Sequence, residues 1–151
     1  MSNPGTRLDP LAGFRFGVEI SGVQHAHFTE FSGLQAQTEV FEYKEGGVNS
    51  YTHKLPVRTS YSNVTLKWGM TTSRELLDWF DRLVAKGSAS LERKDVSIIL
   101  YDSQHQQALR WNLIGAFPVK WSMPTLASAN SEVPIESLEL AFNEVQTLAG
   151  K

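Results

Sequence analysis

Residues 61–87 read YSNVTLKWGMTTSRELLDWFDRLVAKG, and within them the period of the chain changes. From Asn63 to Trp68 apolar and polar residues alternate, with Val64, Leu66 and Trp68 in one phase. That pattern predicts a strand buried on one side. The period then lengthens. Leu76, Phe80 and Leu83 recur at i, i+4 and i+7, and Leu77 and Val84 widen the stripe. This predicts an amphipathic helix over residues 72–86. Thr72 and Glu75 stand at capping-box spacing, and Gly87 stands where a left-handed C-terminal cap belongs. No other segment carries a convincing helical period.

Strand patterns lie on both sides of this helix. Upstream, Phe14, Phe16, Val18 and Ile20 share a phase against Arg15, Gly17 and Glu19. Ser21-Gly22 predicts a tight turn, with Val23–Phe31 as the hairpin partner. Leu34–Tyr43 reads as a long strand of mixed polarity. Downstream, Val96–Tyr101, Ala108–Leu113 and Phe117–Met123 read as strands, with DSQHQQ as a turn before the second. In the last segment Val133 and Ile135 are out of phase with Leu138, Leu140 and Phe142, so a bulge is predicted at Glu136–Ser137. Pro134 belongs at a strand start or edge, because it cannot donate to a ladder. Seven or eight strands, one helix and no βαβ alternation predict a mainly β domain. Its form is an antiparallel β-barrel or two packed sheets with one flanking α-helix.

Bulk composition narrows the function. The 151 residues suit a single domain spanning 1–151, and 41% hydrophobic with 20% charged is an ordinary globular balance. A net charge of -2 argues against gripping nucleic acid by bulk charge. No apolar run reaches the roughly 20 residues that span a bilayer. Residues 1–12 lack a basic start and an apolar core, so they read as an N-terminal arm rather than a signal peptide. The chain has no cysteine, which removes thiol chemistry and disulfides.

No motif in the sequence completes a chemical site. Glu45-Gly46-Gly47 lacks the following Lys-Ser/Thr and helix of a phosphate loop, and reads as a loop tip. His25 and His27 point to one side of a strand, and could hold zinc only with ligands from elsewhere, such as His53 or His105. Asp78 with Asp81, and Glu132, Glu136 and Glu139, read as solvated charges rather than an acid–base pair. No nucleophile elbow is present. Trp68, Trp79, Trp111 and Trp121 read as core or interface anchors rather than a base-stacking platform. The chain is therefore read as a non-enzyme without cofactor or metal.

Several motifs, in order, then carry a resemblance. DPLAGFRFGVEISG, FTEFSGLQAQTEVFEYKEGG, HKLP followed by YSNVTLKWG, LRWNLIGAFPVKW and SANSEVPIESLEL cover roughly Asp9 to Asn143. Together they resemble the phage tail tube protein family of contractile phage tails and extracellular contractile injection systems. Val57, where the family pattern suggests glycine, and Trp68, near which it suggests arginine, depart from it. The resemblance implies six copies in a ring and rings stacked into a hollow inner tube, which sheath contraction drives through a target envelope. It implies self-association, and sheath, baseplate, spike and tube-cap proteins as partners. It also implies possible protein cargo in the lumen, with no specific nucleic-acid binding and no membrane anchoring. Assembly would be in the bacterial cytoplasm, in a particle that is released or envelope-anchored. Within this reading, residues 44–60 form an extended inter-ring loop. Its contact residues are Lys44, Glu45, Gly46, Gly47, Tyr51, His53, Lys54, Leu55, Pro56, Arg58 and Tyr61. Gln35, Gln37 and Glu39 are lumen candidates, and Glu136 and Ser137 secondary ones. Six copies would carry a ring charge of about -12 by multiplication. The alternatives are a tube-initiating subunit beside the baseplate and a secreted hexameric ring that carries effectors. A stand-alone β-sandwich binding module is more distant.

Overall fold

The computed structural model describes residues 14–25, 28–44, 46, 51–87, 91–129 and 132–149. The strands are β1 (Arg15–Ile20), β2 (Val23–His25), β3 (Phe28–Ser32), β4 (Ala36–Tyr43), β5 (His53–Tyr61) and β6 (Val64–Gly69). The helix α1 (Glu75–Lys86) follows, and then β7 (Lys94–Tyr101), β8 (Gln107–Ser122), β9 (Ile135–Ala141) and β10 (Glu144–Ala149). The proposed arm at residues 1–12 lies outside the described residues.

Two antiparallel layers share β8. Its first half pairs with β7 on one edge and β10 on the other, and β7 continues to β1 and β2. Its second half pairs with β9, which continues to β6 and β3. The ladder runs openly from β2 to β3, so the sheets pack without closing into a barrel. Val18, Ile20, Val96, Ile98 and Leu113 of one layer meet Val64, Leu66, Trp68, Leu138 and Leu140 of the other in a single core. These are the in-phase positions of each strand, as a period of two requires. A fully buried Leu or Val side chain contributes about 1.5–3 kcal/mol relative to exposure.

β8 is one strand of 16 residues, where the sequence suggests two. It turns between layers at Gly115, which has φ 69°. A Cβ there would come within 2.7 Å of Asn143 Nδ2. The Gly115 N–H donates to Asp95 at 3.1 Å, and the Asn143 N–H donates to the Ile114 carbonyl at 2.9 Å. Bend and flanking strand are thus tied together where β9 gives way to β10.

Three expectations need correction. Val23–Phe31 does not pair as a unit with β1: β2 does, while β3 crosses to the other layer and pairs with β6. Only the Ser21-Gly22 turn, with φ 52° and 79°, and its short return strand match a tight hairpin. The predicted bulge at Glu136–Ser137 is absent. β6 and β9 pair in unbroken register, and the extra residue is Val119 of β8, between Pro118↔Leu140 and Lys120↔Glu139. The phase conflict is resolved because Ile135 is exposed on the outer face and Glu136 takes the inward position at the layer's rim. Pro134 precedes β9, and its carbonyl accepts from the Met70 N–H at 2.8 Å. Finally, α1 begins at Glu75, and Arg74 occupies the N-cap with no side-chain hydrogen bond. Thr71, not Thr72, turns back to accept from Ser73 N–H at 3.2 Å. Gly87 ends the helix with its N–H on the Leu83 carbonyl.

Trp79, outside the predicted stripe, anchors α1. It is buried, its indole donates to the Glu92 carbonyl at 2.8 Å, and Lys94 lies 5.3 Å above its ring. Val84 is exposed. All four tryptophans pack in or against the core.

Candidate functional site

β4 and β5 form a separate two-stranded ribbon that leaves the body between β3 and β6. The expected loop over 44–60 is therefore corrected: residues 53–61 are the second strand of a hairpin. The alternating Thr and Val positions and the long Leu34–Tyr43 strand supplied it with a partner. Every residue from Ala36 to Tyr43 and from Lys54 to Ser60 is exposed, so the body covers neither face. At the base Tyr61 packs 5.6 Å from Phe142, and Ser62 Oγ donates to the Gly33 carbonyl. The ribbon carries one bulge, at Val57, between Glu39↔Arg58 and Val40↔Pro56. The extra residue accommodates Pro56, which has no N–H for the ladder.

The ribbon's two faces follow from its register. One carries Thr38 with Thr59, Val40 with Pro56, and Glu42 with Lys54. The threonine hydroxyls lie 3.0 Å apart, and Lys54 lies 3.8 Å from Glu42. The other face carries Gln37 with Ser60, Glu39 with Arg58, Phe41 with Leu55, and Tyr43 with His53. Arg58 meets Glu39 at 3.0 Å, and Tyr43 stacks on His53 at 5.1 Å, with Phe41 and Tyr51 beside them. Lys54 and Arg58, expected to reach acids on another ring, are thus already engaged across the ribbon. Lys44, Gly46 and Tyr51 are exposed near its tip, while Glu45 and Gly47 lie outside the described residues. Val40, Phe41, Leu55 and Val57 are each about half exposed, an unusual load for so thin an element.

The outer face of the β3–β6–β9–β8 layer is different. Cross-strand pairs place Glu30 by Lys67, Thr65 by Glu139, Lys67 by Ser137, and Lys120 by Glu139 on this side. Lys67 and Glu30 lie 2.8 Å apart, and Asn63 Nδ2 donates to Glu139 at 3.0 Å. Along these pairs two acids stand against two bases, and Ile135 adds an exposed apolar side chain at the end of β9. Gln37 and Glu39 sit on the ribbon that extends this layer, and Gln35, just before β4, accepts from the Ser62 N–H at 3.1 Å. The structure separates the two secondary lumen candidates. Ser137 is on the polar face, while Glu136 is on the inner side opposite Trp68. Glu30, Thr65, Lys67 and Lys120 share this face with Ser137, and Thr65 and Lys67 are the out-of-phase residues of β6.

At the end of this layer away from the ribbon lies an apolar groove of about 490 Å³. Phe28, Trp68, Met70, Leu76, Trp121 and Met123 line it, with Arg74, Glu75, Glu136 and His25 among its polar residues. His25 Nδ1 lies 3.6 Å from Glu75. His27, the proposed companion of His25, lies outside the described residues. Among the described residues no three His, Asp or Glu side chains gather as a metal site, and no helix is long and apolar enough to cross a membrane.

A family model for the T4-like virus tail tube protein gp19 matches residues 12–146. A chain in the 6-fold symmetrised anti-feeding prophage baseplate is 26% identical, with TM-score 0.76 over 99% of this chain and 98% of that one. A chain of the sheath–tube complex of the extracellular contractile injection system PVC, in its extended state, is 25% identical, with TM-score 0.80 over 93% and 92%. Hcp1 from Flavobacterium johnsoniae shares the fold at 15% identity, with TM-score 0.61 over 89% and 95%. No curated protein sequence matches. The order of motifs, the two packed layers with one helix and the match across nearly the whole chain agree: this protein belongs to the T4-like tail tube protein family.

Proposed function

We propose that the chain is the structural subunit of the inner tube of a contractile, phage-tail-like injection particle. Six copies close a ring, and rings stack into a hollow tube. The observation that carries this reading is the β4–β5 ribbon, exposed on both faces yet rich in apolar and aromatic side chains. A lone two-stranded hairpin is marginal in water, and its two open edges invite pairing with another chain. A neighbouring subunit removes both problems. The polar, charge-balanced face of the β3–β6–β9–β8 layer suits the wall of a water-filled bore, which could hold protein cargo without gripping nucleic acid.

Sheath, baseplate, spike and tube-cap proteins are the remaining partners in this reading, consistent with the settings of the PVC and anti-feeding prophage chains. The work is mechanical and uses no catalytic group. Assembly belongs in the bacterial cytoplasm, in a particle then released or held at the envelope. Negative-stain microscopy of the concentrated protein, alone and co-expressed with sheath and baseplate, tests the proposal. Rings and tubes with a central hole are expected. Subunits that stay monomeric in both preparations overturn it. Particle composition also distinguishes a main tube subunit, as abundant as sheath, from a tube initiator present in one or a few rings. Free hexamers outside cells would identify a secreted carrier ring.

A further inference from the structure

The register row Phe28–Trp68–Glu136 crosses three neighbouring strands, β3, β6 and β9, on their inner side. Phe28 and Trp68 meet edge to face at 5.8 Å, and with Leu76, Trp121 and Met123 they line the apolar groove at the start of α1. Glu136 is the exception in this wall. Among the described residues its carboxylate has no hydrogen bond or ion pair. The other charges of the groove are already engaged. Glu75 faces His25 at 3.6 Å, and Arg74 lies 3.8 and 3.7 Å from Asp78 and Asp81. A lone carboxylate beside aromatic rings suits a cation carried on an apolar segment.

The chain carries such a segment beside the groove. Residues 1–13, MSNPGTRLDPLAG, bring one guanidinium, Arg7, among Pro4, Leu8, Pro10 and Leu11. They join the body at Phe14, which keeps the inward phase of β1 and yet is 54% exposed. The next two residues, Arg15 and Phe16, share a small cavity with His25 and Phe28, and both of these also line the groove. The segment therefore meets the body at the Phe28 end of the groove. Glu136 lies two strand spacings from Phe28, about 10 Å. Arg7 precedes Phe14 by seven residues, an extended reach of about 25 Å at most. We propose that residues 1–13 fold back across the groove of their own chain, with Arg7 on Glu136 and the leucines and prolines over Phe28 and Trp68. Asp9 then falls on the same side of the extended segment as Arg7. It meets the first N–H groups of α1, which have no side-chain cap. This contact is made within one subunit and stands apart from the tube reading.

The test uses the dispersed full-length chain, which has no cysteine of its own. Met123→Cys places a thiol at the exposed edge of the groove. Its rate of reaction with a maleimide is compared with that of the same variant lacking residues 1–12. The expected result is a rate about tenfold faster without the segment, as for any site that its cover must first leave. Arg7→Glu and Glu136→Arg should each speed the reaction likewise. The two together should restore the slow rate, which a segment held by packing alone would not do. The protection should also be unchanged over a wide range of dilution. Equal rates with and without residues 1–12 overturn the proposal. Protection that fades on dilution overturns it as well, and gives the groove to the segment of a second copy. Protection that the charge swap fails to restore overturns the pairing of Arg7 with Glu136. The chain is dispersed throughout, so none of these outcomes bears on the tube reading.

Discussion

Gly33 stands at the hinge where β3 ends and the ribbon begins, with φ 94°. A Cβ there would lie 2.8 Å from the Asn63 carbonyl oxygen, a backbone atom that cannot swing aside. Gly33→Ala is therefore expected to cost about 1–3 kcal/mol, the range for a non-glycine residue held in a sparsely populated backbone region. Its urea midpoint against wild type measures this, and an unchanged midpoint would show that the hinge adjusts freely. Leu66 is the contrasting case. It is fully buried between the layers, and Leu66→Ala is expected to cost about 2–5 kcal/mol from lost transfer energy plus the cavity left behind. Core residues of this kind were readable in the sequence because strand period alone assigns them. Glu136 was not, because alternation places a polar side chain inward only at a layer's rim, and nothing in the sequence marks where a rim lies.

At the scale of elements, the sequence revealed which segments are strands better than it revealed their partners. The β1 alternation, the single helix and the Gly87 cap follow from local chemistry. The crossing of β3 to the second layer and the fusion of two predicted strands into β8 do not, because ladder partners are chosen by the whole sheet. Only the ribbon's second strand, β5, was read as part of a loop: neither of its faces is buried, and HKLPVRTSY lacks the apolar alternation by which strands are recognised. That same exposure sets its behaviour. In dispersed subunits the backbone amides of β4 and β5 are expected to exchange with solvent far faster than those of β6 and β7, which flank the core. Assembly should protect them by orders of magnitude. Hydrogen exchange followed by mass spectrometry compares the two states, and equal ribbon exchange in subunit and tube would remove the ribbon from the interface. Lys54→Glu with Leu55→Asp should abolish tubes while shifting the subunit's stability by no more than about 0.5 kcal/mol per site, as exposed positions do. Normal tubes from that variant would deny the ribbon its role.

For the whole molecule, the question is which surface faces the bore. In the proposed ring, six copies of a chain of net charge -2 total about -12, of which an even spread would put only part on the bore. The structure distributes it otherwise. On the outer face of the β3–β6–β9–β8 layer Glu30 and Glu139 are offset by Lys67 and Lys120, with Thr65 and Ser137 between them and exposed Ile135 at the end of β9. A wall of that kind has little fixed field, so a polypeptide of either sign meets only weak, short-range attraction within about a Debye length, roughly 8 Å at physiological salt. Ser137 lies in the middle of this face, partly exposed, and in a cysteine-free chain Ser137→Cys is a unique reporter. In dispersed subunits it should react with small and large maleimides alike. In assembled tubes the small reagent should enter from the ends and still label every ring, while a polymer-linked maleimide wider than the bore should label almost none. Equal labelling of tubes by both reagents would place this face on the outside, and would move the bore to the β1–β7–β8 layer, whose outer surface carries the Arg110–Glu19 pair at 2.7 Å.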